Sequence, residues 1–80
     1  MINIDVKYFA ALREQAGRSE ESFQTSAATA ADLYDELQAR HGLKLSADTL
    51  RVAINEEFAD WSSPLSSGDR VVFIPPVAGG

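Results

Sequence analysis

Cysteine is absent from all 80 residues. That absence removes disulfides, thiolate nucleophiles, cysteine-ligated zinc and cysteine-bound iron–sulfur clusters together. No apolar run approaches the ~18 residues that a membrane helix needs. The opening Met1-Ile2-Asn3-Ile4-Asp5 also lacks the basic-then-apolar pattern of an export signal. The expectation is a cytoplasmic protein with no membrane partner. Cations are scarce: seven Lys and Arg face twelve Asp and Glu, giving a net charge of −5. Bulk electrostatics of that sign disfavours nucleic acid and anionic membrane surfaces and favours a partner with a basic surface. A phosphate-loop glycine pattern is missing, so no nucleotide should bind to the chain by itself, and no bound cofactor or metal is expected. No serine stands in a G-x-S-x-G setting, which leaves nucleophilic catalysis without support.

What is present is ordinary globular material, 45% hydrophobic and 24% charged, in a length that allows one small domain. Ile2, Ile4, Val6 and Tyr8 alternate with Asn3, Asp5 and Lys7, the period of a strand with one face buried. Phe9 to Ala16 switches to helix formers and stops at Gly17. Ser19 to Thr25 reads as a weak strand near the sheet edge. Thr29 begins the clearest helix: Thr29-x-x-Asp32 resembles a capping box, and Ala30, Leu33, Tyr34 and Leu37 share one face. Glu36 and Arg40 are spaced as an ion pair, and Gly42 supplies the stop. Leu43 to Thr49 is a connection, Leu50 to Asn55 a strand, and Asn55-Glu56-Glu57 its turn. Phe58 and Ala59 begin a short return strand, and Ser66-Ser67-Gly68-Asp69 turns the chain into the last one. Strand, short helix, strand, long helix and three further strands predict an α+β domain with the element order of the ubiquitin-like β-grasp, a mixed sheet packed on one main helix.

The final strand, Val71 to Ile74, is apolar on both faces and predicts a central strand covered on both sides. Pro75 and Pro76 lack amide donors and end strand pairing. Residues 1–74 therefore read as the domain and 75–80 as an extended tail, with a reach of roughly 20 Å. Gly79 and Gly80 carry no side chains, so the tail suits a narrow channel. Its tip offers one reactive group, the main-chain carboxylate.

Other candidates are weaker. His41 could serve as a general base or a metal ligand, but it reads better as a solvated last-turn residue stabilising the helix end. Glu56 and Glu57 resemble a carboxylate pair, yet adjacent turn residues diverge, and a solvated turn explains them. Trp61 and Phe58 fit either the core or an interaction patch. Ser62, Ser63, Ser66 and Ser67 read as turn chemistry, and Arg13 and Arg51 as surface residues. The chain looks more like a substrate of other enzymes than an enzyme.

Four segments taken in order resemble the small subunits of molybdopterin synthase. They are Tyr8-Phe9-Ala10-Ala11-Leu12-Arg13-Glu14, Val52-Ala53-Ile54-Asn55, Pro64-Leu65-x-x-Gly68-Asp69 and Val72-Phe73-Ile74-Pro75-Pro76-Val77-Ala78-Gly79-Gly80. The resemblance covers the whole chain and implies a sulfur carrier. An E1-like adenylating enzyme would use ATP to join Gly80 to AMP. A persulfide sulfur would then displace AMP and leave a Gly80 thiocarboxylate. The tail would enter the large synthase subunit, whose residues are expected to catalyse sulfur transfer onto cyclic pyranopterin monophosphate, in a heterotetramer of two small and two large subunits. Carried over by position, Gly80 holds the sulfur and Gly79 keeps the channel passable. Phe9, Arg13, Phe58, Ile74, Pro75, Pro76, Val77 and Ala78 contact the large subunit. Phe58 and Ile74 differ in side chain from similar proteins. A thiamine-pathway sulfur carrier and a ubiquitin-related protein modifier share the fold and the diglycine end, and a plain interaction domain with an inert tail remains a third alternative.

Overall fold

Alternation along the first strand decides which side of the domain is filled. In β1 (Ile2–Tyr8) the side chains of Ile4, Val6 and Tyr8 are buried while Asn3, Asp5 and Lys7 stay exposed, as the two-residue period of a strand requires. The structure, a computed structural model, describes residues 1–75. After β1 come α1 (Ala10–Ala16), β2 (Glu20–Thr25), α2 (Ala30–His41), a 3-10 turn at Ala47–Thr49, β3 (Arg51–Ile54), β4 (Glu57–Ala59) and β5 (Arg70–Ile74). These strands form one five-stranded sheet in the order β2-β1-β5-β3-β4. At its centre β1 and β5 run parallel, and the other pairings are antiparallel. The expected β-grasp arrangement is what the chain adopts.

Helix α2 fills the groove of the sheet for local reasons. Thr29 caps it in an extended conformation, its hydroxyl accepting from the Asp32 amide at 3.3 Å, so one orphan amide of the first turn is satisfied. Gly42 closes the other end at φ 67°, donating its amide to Gln38 O at 2.8 Å, a left-handed turn that favours glycine. Between the caps, Ala30, Leu33, Tyr34 and Leu37 are buried on one face, packed in a single core with Ile4, Val6, Val52, Val71 and Phe73. The Tyr34 hydroxyl donates to Leu45 O at 2.7 Å and so binds the connection after the helix to the core. Amides of Ala30 and Ala31 donate to Ser63 O and Trp61 O at 3.1 and 2.9 Å, which pins the long β4–β5 connection against the start of α2. No helix of the described residues is long and apolar enough to cross a membrane.

One expectation is corrected here. β5 is central, as its sequence predicts, but it is not covered on both faces: Val71 and Phe73 are buried, whereas Val72 and Ile74 are half-exposed. The reason lies in the helices. Leu12 of α1 and the buried face of α2 join the same core, so both helices serve one side of the sheet and the other side stays open.

Candidate functional site

The open face of the sheet is built row by row from strand register. Lys7 lies beside Val72, Val72 beside Ala53, and Ala53 beside Phe58. One step toward the end of β5, Ile74 lies beside Arg51. Phe9 follows β1 with extended backbone angles (φ −125°, ψ 153°) and falls on the same face as Lys7 by alternation. Apolar side chains thus collect at the end of β5 from which Pro75 leaves. Phe58 is 70% exposed and Phe9 38%, a cost in solvent exposure that a structural role does not explain and that is typical of a recognition patch. An open cleft of about 550 Å³ continues it around the β4 edge between Phe58 and Trp61.

Each exposed aromatic of the patch carries a cation. Lys7 Nζ stands 5.4 Å from the Phe9 ring centre, and the Arg51 guanidinium 5.7 Å from that of Phe58. Such contacts hold long side chains flat over apolar surface. Arg13 is exposed one turn along α1, its amide donating to Phe9 O at 3.4 Å. Phe9, Phe58, Ile74 and Pro75, expected to meet a partner, therefore gather at one end of one face, and Arg13 follows Phe9 by one turn of α1. Pro76, Val77, Ala78, Gly79 and Gly80 lie outside the described residues.

Lys7 and Val72 belong to the patch and were not singled out from the sequence. The alternation of β1 gave the exposure of Lys7, but only the pairing of β1 with β5 sets it beside Val72. The open choice for the two aromatics separates: Trp61 stacks on Phe73 at 5.8 Å in the core cluster, while Phe58 stands on the open face.

His41 departs from expectation. Rather than a solvated residue at a helix end, its side chain is 13% exposed and its Nε2 lies 2.5 Å from Glu21 Oε2. The Tyr8 hydroxyl donates to the same oxygen at 2.6 Å, and the Tyr8 and His41 rings meet edge to face at 5.9 Å. Arg18 and Arg40 approach Glu21 Oε1 at 3.7 and 3.8 Å. Burial alone pushes the Glu21 carboxyl up, but the hydrogen bonds from Tyr8 and His41 and the pull of His41 and Arg18 outweigh it and hold it below the usual range. Burial, then the bond to Glu21 and its charge, keep the Tyr8 hydroxyl protonated far above the ordinary tyrosine range. This cluster ties β1, β2 and the end of α2 together; Glu21 borders an open cleft of about 430 Å³, but neither Tyr8 nor His41 lines it, so the cluster's role is structural.

The remaining candidates fall as turn chemistry. Asn55 and Glu56 form a two-residue hairpin with φ 53° and 73°, Ser67 Oγ accepts from Asn3 N at 3.2 Å, and Ser63 Oγ accepts from Asp60 N at 3.1 Å. Among the described residues, no group of three His, Asp or Glu side chains could hold a metal ion.

Residues 6–80 match the family model described as the ThiS family. A "Molybdopterin synthase sulfur carrier subunit" of Mycobacterium tuberculosis is 36% identical, with both chains covered over their full length. Among solved structures, the small archaeal modifier protein 1 of Haloferax volcanii superposes with a TM-score of 0.80 at 26% identity, covering 96% of this chain and 100% of that one. A protein–protein complex of subunits 1 and 2 of the molybdopterin-converting factor from Helicobacter pylori gives a TM-score of 0.70 at 26% identity, covering 99% of this chain and 100% of the matched one.

Proposed function

Because the chain belongs to the ThiS family, we propose that it is the sulfur-carrying small subunit of a molybdopterin synthase, working in the cytoplasm. The observation that carries the reading is the apolar patch of Phe9, Val72, Ile74 and Phe58 gathered where Pro75 leaves the sheet. A partner bound there is positioned to receive the residues that follow. Full-length similarity to a sulfur carrier subunit and the structural likeness to a subunit 1 solved with subunit 2 support the same assignment.

The chemistry belongs to the Gly80 carboxylate. An ionised carboxylate is a poor electrophile, so an E1-like adenylating enzyme joins it to AMP from ATP with release of pyrophosphate. A persulfide sulfur attacks the acyl carbon and AMP leaves. Reduction of the resulting acyl disulfide by a thiol frees the Gly80 thiocarboxylate. With the patch docked on the large synthase subunit, Gly79 and Gly80 pass into its active site, and the thiocarboxylate sulfur attacks cyclic pyranopterin monophosphate; water then cleaves the acyl–sulfur bond, which leaves the sulfur on the pterin and restores the Gly80 carboxylate. Two such deliveries supply the two sulfurs of the dithiolene. A heterotetramer of two small and two large subunits places one carrier at each active site. This chain contributes docking and cargo, and catalysis rests with the large subunit.

The test is intact mass after incubation with ATP, the activating enzyme and a sulfur donor, beside a chain lacking Gly80. An oxygen-to-sulfur mass increment on the full-length chain alone is the expected result. No increment, with an activating enzyme competent on another carrier, overturns the reading. The likeness to a modifier protein favours a second reading, conjugation to lysines, which predicts isopeptide-linked adducts on other proteins in place of the sulfur increment.

A further inference from the structure

The geometry points to a docking partner whose contact surface is apolar at its centre and carboxylate-bearing at its rim, the carboxylates meeting Lys7, Arg13 and Arg51. This inference rests on the function proposed above, and it runs against the simplest reading of the whole-chain charge. A net charge of −5 favours a basic partner, but the charges are not spread evenly.

Of the seven cations, Arg18 and Arg40 are spent on Glu21 and Glu36 inside the fold. Of the remaining five, Lys7 over Phe9 and Arg51 over Phe58 flank the tail root, and exposed Arg13 follows Phe9 by one turn of α1. None of the three forms an ion pair within 4.0 Å among the described residues. Glu20 is the cross-strand neighbour of Lys7, yet it makes no such pair, and Lys7 turns to the Phe9 ring. Asp60 borders the cleft beside Arg51 and Phe58, but like Glu20 it forms no ion pair with a patch cation within 4.0 Å among the described residues, while Asp32 and Asp35 lie on α2.

Distance decides which charge a partner feels. At physiological salt the screening length is about 8 Å, so on close approach the local cations dominate and distant carboxylates are largely screened. Cations flattened over aromatic rings are also prepaid in conformational freedom and keep their charge at the patch rim, where electrostatics sets association rate and register more than depth of binding.

Sign makes the inference testable. The probe is the large molybdopterin synthase subunit of the same cell, and association rates with the full chain are measured at physiological salt. The variants Lys7→Glu and Lys7→Glu/Arg51→Glu are compared with Lys44→Glu, which changes net charge as much as Lys7→Glu does but lies on the connection after α2. We expect the pair to slow association about tenfold, Lys7→Glu alone about threefold, and Lys44→Glu less than about 1.5-fold. The neutral pair Lys7→Gln/Arg51→Gln should fall between the reversed pair and the parent chain, which guards against a folding defect in the reversed pair. An unchanged or faster rate for Lys7→Glu/Arg51→Glu overturns the carboxylate rim, and a faster rate identifies a basic partner surface instead. Phe58→Ala separates the two levels. If it weakens binding while the charge variants do nothing, only the rim is wrong; if it too leaves binding unchanged, this face is not the docking surface and both readings fall.

Discussion

The hydroxyl of Tyr8 and the carboxylate of Glu21 meet at 2.6 Å, across the β1–β2 pairing, with the Glu21 side chain only 6% exposed. His41 reaches the same oxygen from the end of α2. One carboxylate therefore holds the edge strand, the central sheet and the main helix in register, and its removal leaves two buried donors without an acceptor.

That arrangement gives stability a pH dependence of known sign. The folded carboxyl of Glu21 is held below its ordinary value, so its contribution is fully present above about pH 4.3, the unfolded value, and is lost as pH falls through the folded one. We expect Glu21→Gln to lower unfolding free energy at neutral pH by about 1–3 kcal/mol and to flatten the loss of stability on acidification. Urea unfolding across pH 3–7 checks both; parallel curves for parent and variant would remove Glu21 as the cause.

Trp61 is held between Tyr34, at 5.7 Å, and Phe73, at 5.8 Å with planes only 11° apart. Because it closes the core beneath the β4–β5 connection but stays half-buried, Trp61→Ala should cost about 2–3 kcal/mol, at the low side for an aromatic truncation. The midpoint of denaturant unfolding reads this directly.

Glu56 occupies a left-handed position, φ 73°, in a hairpin turn that prefers glycine. Glu56→Gly should stabilise the fold by about 0.5 kcal/mol, the relief of strain exceeding the added freedom of the unfolded chain, whereas Glu56→Val should cost about 1 kcal/mol or more. Thermal midpoints moving in opposite directions are the expected observation, and a shared direction would argue against strain at this turn.

Phe58 makes the converse case. At 70% exposure its replacement by alanine should change stability by less than about 0.5 kcal/mol while weakening association with the large synthase subunit about tenfold or more. Equilibrium binding measured beside unfolding separates the two effects.

Much of this protein could be read one segment at a time. The β1 alternation, the Thr29 cap, the apolar stripe of α2, the Gly17 and Gly42 stops and the Asn55 turn all act within a few residues of chain, so local composition is enough to place them. Central placement of β5 also followed from its apolar run. What only the tertiary structure decided are relationships across long stretches of chain: both helices on one side of the sheet, which uncovers Val72 and Ile74; the register that sets Lys7 beside Val72 and Arg51 beside Ile74; and the capture of His41 by Glu21. Strand order and register are chosen by summed burial over the whole core, and a polar side chain such as His41 reads the same in sequence whether it ends in water or against a buried carboxylate.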